Sequence, residues 1–163
     1  MALVTSPTGS IPDLQYEYHT ITVDTIGQDS ANTFTCHLSQ PLKNIVQAKL
    51  LGARINSTTN TQHCYISIDQ LDSTFSDRAS NVYGGQSSLS ILRNSFASLL
   101  TEGEATIVYK DNYNVATQYI DPIRRLDRLK ITIRDQDGNT ITPDTGNKPN
   151  FLILRFVCRK PNL

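Results

Sequence analysis

Tryptophan is absent from this chain of 163 residues, methionine occurs once, and the three cysteines, Cys36, Cys64 and Cys158, form no CxxC pair. Sugar-binding modules present exposed planar rings and usually use tryptophan, so that reading starts weakened. Cysteines in odd number and without metal-ligand spacing read as reduced, buried thiols, which suits synthesis inside a cell. An excess of either charge is also lacking, because 15 Lys and Arg balance 15 Asp and Glu. A dedicated nucleic-acid binder would carry a basic excess, and a neutral chain feels little long-range repulsion from its own copies. Long hydrophobic runs are missing as well. No window approaches the ~18 apolar residues of a transmembrane helix. The stretch MALVTSPTGSIP has neither a basic start nor a long apolar run, so no signal peptide is expected.

Catalytic patterns are equally sparse. His19, His37 and His63 make no HxH or HxxxH pair, and metal sites need ligands at short spacings or on adjacent strands. Asp135-Gln136-Asp137-Gly138-Asn139 begins like a calcium loop, but the bidentate Glu that should follow is missing. There is no GxSxG elbow, Walker loop or GxGxxG, and Glu102 and Glu104 simply flank Gly103 in a turn. No catalytic residue, metal site or cofactor is therefore expected. The sequon Asn56-Ser57-Thr58 reads as chance.

What is present is strand. Hydrophobic residues make up 38% and charged residues 18%, and polar uncharged residues fill the difference, as suits exposed strands and long loops. Residues 1–14 are polar and carry Pro7, Gly9 and Pro12, which reads as an arm. Residues 15–160 read as one domain and 161–163 as a tail. Period-2 alternation predicts strands over Gln15–Val23, Thr33–Leu38, Gln47–Ile55, His63–Ile68, Ala105–Lys110, Ala116–Ile120, Leu126–Arg134 and Phe151–Cys158. Ser39-Gln40-Pro41 and Asp121-Pro122 read as stops, Leu42–Val46 as a short turn or 3₁₀ segment, and Gly52 as a bulge or a close approach. Within 87–100, two short strands are favoured over a helix, with Phe96, Ser98 and Leu100 on one face. Leu129, Ile131 and Ile133 should face inward, and Asp137-Gly138 should turn a hairpin. In the last strand Phe151, Ile153, Phe156 or Arg155, and Cys158 are the expected positions. Arg124, Arg125 and Arg128, interleaved with acids, read as a salt-bridged edge. About eight or nine strands without βαβ units or repeats suggest an all-β, antiparallel two-sheet sandwich with jelly-roll connections.

Two segments carry a resemblance. Leu38 to Ile55 reads LSQPLKNIVQAKLLGARI, and Ile120 to Asn139 reads IDPIRRLDRLKITIRDQDGN. Followed by the apolar strand 151–158, this order resembles the single jelly-roll capsid proteins of large double-stranded DNA viruses of eukaryotes and of virophages. The likeness spans residues 32–158, and within it residues 69–104 match nothing. It implies a structural virion protein without catalysis, made in the host cytoplasm or a virus factory. The expected form is a penton protein forming homopentamers at icosahedral vertices beside the major capsid protein. A minor cement protein beneath the shell is a lesser form of the same reading. The implied inter-subunit contacts are Leu3, Val4, Ile11 and Leu14 of the arm, with Tyr83, Arg124, Arg125 and Arg128. The alternative is a carbohydrate- or receptor-binding β-sandwich, which exposed tyrosines on one sheet face would favour.

Overall fold

The computed structural model describes residues 15–58, 60–72, 81–83, 86–88, 95–101, 106–110, 116–141 and 148–161. Every regular element among them is a strand: β1 Tyr16–Asp24, β2 Thr33–Asn56, β3 His63–Ile68, β4 Asn81–Tyr83, β5 Gln86–Ser88, β6 Ala97–Leu100, β7 Thr106–Lys110, β8 Thr117–Arg134 and β9 Phe151–Arg159. β4 and β5 pair only with each other, and the other seven form one antiparallel sheet.

The sheet curls into two faces because β2 belongs to both. Its first part, Thr33–Lys43, pairs with β8, which in turn pairs with β3, and β3 with β6. Its second part, Ile45–Asn56, pairs with β9 on one side and on the other with the start of β8 over Ile45–Ala48 and with β7 over Gly52–Asn56, with β1 outside β9. The layers are thus β1-β9-β2-β7 and β2-β8-β3-β6, the connectivity of a jelly roll with two of its strands fused. Both layers feed one core: Leu152, Leu154 and Phe156 of the first pack in the same cluster as Ile66, Ile131 and Ile133 of the second. All six are fully buried, and each such side chain contributes about 1.5–3 kcal/mol.

The fusion corrects the expected stop at Pro41. Proline cannot donate to a ladder, and it is tolerated here because the β2–β8 register breaks between His37 and Leu42. Asn44 follows in the left-handed region, at φ 54°, a conformation that asparagine accepts better than most residues. Together they turn the strand from one layer into the other. Pro122 likewise fails to end its strand: β8 runs on through it for 18 residues.

Other boundaries follow the alternation. His63–Ile68 forms as read, and Leu129, Ile131 and Ile133 are buried while Lys130 is exposed. Gly52 sits at a register shift between Leu50 and Gly52. Asp137-Gly138 does turn the chain: the Gly138 amide donates to Asp135 O at 3.1 Å, and Gly138 takes φ 83°. Among the described residues the turn leads to one bridge, Arg134 to Thr140. β8 and β9 are not partners, since β2 lies between them.

Two phases are corrected. Leu99 points inward and Leu100 outward, at 84% exposure. In β9 Phe156 and Cys158 are buried as read, but it is Leu152 and Leu154 that share their inward face, while Ile153 faces out. FLILRFVC is apolar on both faces, so alternation alone could not choose between them. Leu89 and Ile91, expected in a strand, lie outside the described residues.

Candidate functional site

One end of the sandwich is closed by buried amides. Asn150, 1% exposed, donates through Nδ2 to Ala31 O and to Asn32 Oδ1, both at 2.8 Å. Its Oδ1 accepts from the Asn56 amide at 2.8 Å and from Asn56 Nδ2 at 3.3 Å. Its own amide donates to Thr25 Oγ1 at 2.8 Å, and its carbonyl accepts from the Thr25 amide at 3.1 Å. Asn56 Nδ2 also donates to Pro149 O at 2.8 Å, and Asn32 Nδ2 to Ile141 O. The network ties the β1–β2 loop, the end of β2 and the segment before β9 together. It also sequesters the sequon: Asn56 is buried with its Nδ2 engaged. Sequence reading missed the network because its members lie as far as 125 residues apart.

At the opposite end, four strands build a groove on the outer face of the first layer. Tyr18 of β1 stands opposite Val157 of β9, Val157 opposite Gln47 of β2, and Gln47 opposite Gln118 of β8. Residues so paired share a face. With Tyr16, Val46, Tyr119, Ile120 and Arg155 they line a cavity of about 520 Å³. Its rim is apolar at Ile120, which is 89% exposed. Arg155 belongs to the lining, and its Nε is shielded from solvent without a hydrogen-bond partner among the described residues. Leaving a donor so placed costs about 1–3 kcal/mol. Thr20 flanks Arg155 on β1 and the buried Lys49 flanks it on β2. A smaller apolar hollow of about 310 Å³ lies further along the same face, lined by Leu51, Gly52, Tyr109, Phe151 and Ile153 among others.

Among the residues expected at contacts, Arg124, Arg125 and Arg128 are exposed on β8. Arg125 Nε lies 3.8 Å from Asp127 Oδ2 with both side chains mostly exposed, a pair worth little. Lys130 pairs with Asp69 at 3.4 Å. No ion pair to Arg124 or Arg128 is present among the described residues. Leu3, Val4, Ile11 and Leu14 lie outside the described residues, as does the side chain of Tyr83, whose backbone belongs to β4.

The titratable groups are structural in setting. His19 contacts Glu17 at 3.4 Å, and His63 stacks on Tyr65 with ring centroids 4.3 Å apart. Burial, reinforced by Asp135, pushes the Cys64 thiol up to about 12, and burial with Glu17 pushes Cys158 to about 11. Cys36 is raised by burial and by Asp24. All three are free thiols. Burial also raises Asp72, against the lowering effect of bonds from Ser67 Oγ and the Ile68 amide. Tyr119, whose hydroxyl donates to Leu71 O at 2.7 Å, is raised by burial and by Asp72. Asp135 Oδ1 accepts from the amides of Asp137 and Asn139 at 2.9 Å, so the calcium-like loop is a turn held by its own carboxylate. Among the described residues no group of three His, Cys, Asp or Glu is placed to hold a metal ion, and no helix is long and apolar enough to cross a membrane.

No family model matches the sequence. The chain is similar to a protein of Paramecium bursaria Chlorella virus 1 named penton capsid protein P1. The two are 29% identical over 140 residues, covering 80% of this chain and 76% of that protein.

Proposed function

We propose that the chain is a structural protein of a viral capsid, a penton that assembles as a homopentamer at icosahedral vertices against the major capsid protein. The observation that carries this reading is the similarity to a penton capsid protein over 80% of the chain, on a fold whose strand order is that of a jelly roll. The absence of net charge favours close packing of copies. In a ring, each subunit offers one surface to the next in a heterologous contact that closes. Function on this reading is burial between copies, with no chemical step.

The test is the assembly state. Native mass spectrometry and sedimentation of the full chain over a range of concentrations, alone and with the major capsid protein, should give pentamers or a co-assembled shell. A chain that stays monomeric under both conditions would refute the reading. One observation favours a second reading: Tyr16 and Tyr18 stand on the same face beside Gln47, Gln118 and Arg155, a set that suits a saccharide. A glycan array separates the two, since a monomer that captures glycans supports the second.

A further inference from the structure

The groove at Arg155 has chemistry that narrows its occupant. It has a cation, Arg155, in its lining, walls of Tyr16, Tyr18, Val46 and Val157, and an apolar rim at Ile120. The complementary ligand is an extended segment bearing one carboxylate between large apolar side chains. This sequence contains such a segment immediately before the first strand: Ile11-Pro12-Asp13-Leu14, in which Asp13 is the only charged side chain of residues 1–14. Pro12 lacks an amide hydrogen, so the segment is unsuited to extending a ladder and suited to lying across a face.

We propose that the groove is the seat of residues 11–14 of a neighbouring copy, with Asp13 meeting the Arg155 guanidinium and Ile11 and Leu14 covering the apolar walls. This rests on the assembly reading above and names its contact. A neighbour is favoured over the same chain by direction. The Lys160 amide donates to Gln15 O at 2.9 Å, so the β1–β9 ladder continues to Gln15. Arg155 is paired with Thr20, in the opposite direction along β1. To reach it within one chain, the segment would have to reverse between Asp13 and Gln15 and pass back over Tyr16 and Tyr18. A copy set beside the groove meets no such constraint. The charge-assisted pair gives register, and the rings and aliphatic side chains give buried area.

The experiment is sedimentation velocity of the full chain carrying Asp13→Arg, Arg155→Asp, or both. Each single substitution places like charges in contact and should weaken self-association by about tenfold or more. The double substitution restores an opposite pair and should recover the wild-type association. An equimolar mixture of the two single variants should recover part of it, because in a ring of five up to four arms then meet an opposite charge in the other variant's groove while one contact stays like-charged. Asp13 precedes the first strand, so Asp13→Arg carries the test by itself should Arg155→Asp fail to fold. Association unchanged by Asp13→Arg overturns the inference and leaves the assembly reading standing. Recovery in the double variant with the mixture no better than the single variants overturns the contact between copies in favour of a strap on the same chain. A wild-type chain that never associates removes both readings. Quenching of tyrosine fluorescence by sialyllactose, lost in Arg155→Asp while association persists, overturns the inference in favour of an acidic saccharide.

Discussion

Replacing Asn150 by alanine should unlock one end of the sandwich. The substitution deletes a side chain that is 1% exposed and makes four hydrogen bonds. Asn56 Nδ2 keeps Pro149 O, but the Asn56 amide, the Ala31 carbonyl and Asn32 Oδ1 each lose a partner. A buried group left unsatisfied costs about 1–3 kcal/mol, and water entering the vacated space recovers part of it, so a net loss of about 3–5 kcal/mol is expected. Against a typical domain stability of about 5–15 kcal/mol this is a large fraction. Urea unfolding followed by far-ultraviolet circular dichroism measures it. At a slope of about 2 kcal/mol/M, the midpoint should fall by about 2 M without a change in slope. The exposed β1 position Thr22 provides the control, and Thr22→Ala should stay within about 0.5 kcal/mol of wild type. Asn32→Ala combined with Asn150→Ala should cost less than the sum of the two, because the deletions share a bond. A loss below about 1 kcal/mol for Asn150→Ala would refute the claim that the network holds this end together.

Further outcomes follow from the same geometry. Asn44→Gly, at φ 54°, should hold or raise stability, whereas Asn44→Val should lower it by about 1–2 kcal/mol because a β-branched residue resists the left-handed region; thermal midpoints compare the two. Asp72 holds its proton to higher pH in the folded chain than in the unfolded one. Folded protein therefore binds more protons in that window, and stability should fall as pH rises from 3.8 through the raised value, a slope that Asp72→Asn flattens in urea midpoints taken across pH. Cys64 and Cys158, buried and shifted up, should resist iodoacetamide in the native state and react only on unfolding, with half-buried Cys36 first to label; mass spectrometry of timed samples reads the order. Ile131→Ala, at a fully buried site shared by both layers, should cost about 2–5 kcal/mol.

The strands that alternate cleanly were legible from sequence: β3, the inward row Leu129, Ile131 and Ile133, and the turn at Gly138. Punctuation by proline misled, because it marks the loss of a donor rather than the end of a strand. At Pro41 the lost donor coincides with a break in register, and the chain runs on from one layer into the next. Strand β9 misled for the reverse reason. Its outward residues Phe151, Ile153 and Val157 are as apolar as its inward ones, since they line grooves rather than open water. The candidate site was legible only in fragments. Tyr16 and Tyr18 announce themselves as neighbours on one strand, but Arg155, Gln47 and Gln118 reach them from three other strands, and only register joins them.

The shared strand β2 also dictates when the fold can form. It lies early in the chain, yet each of its partners comes at least 50 residues after its last residue, at β7, β8 and β9, and β1 pairs with β9 alone. The second layer cannot close before β8 (117–134) emerges from the ribosome, nor the first before β9 (151–159). Pairings this distant in sequence are slow to find, on the order of milliseconds to seconds. During synthesis the unpaired edges of β1 and β2 remain open to strands of other growing chains, and crowded translation of many copies is where misassembly begins.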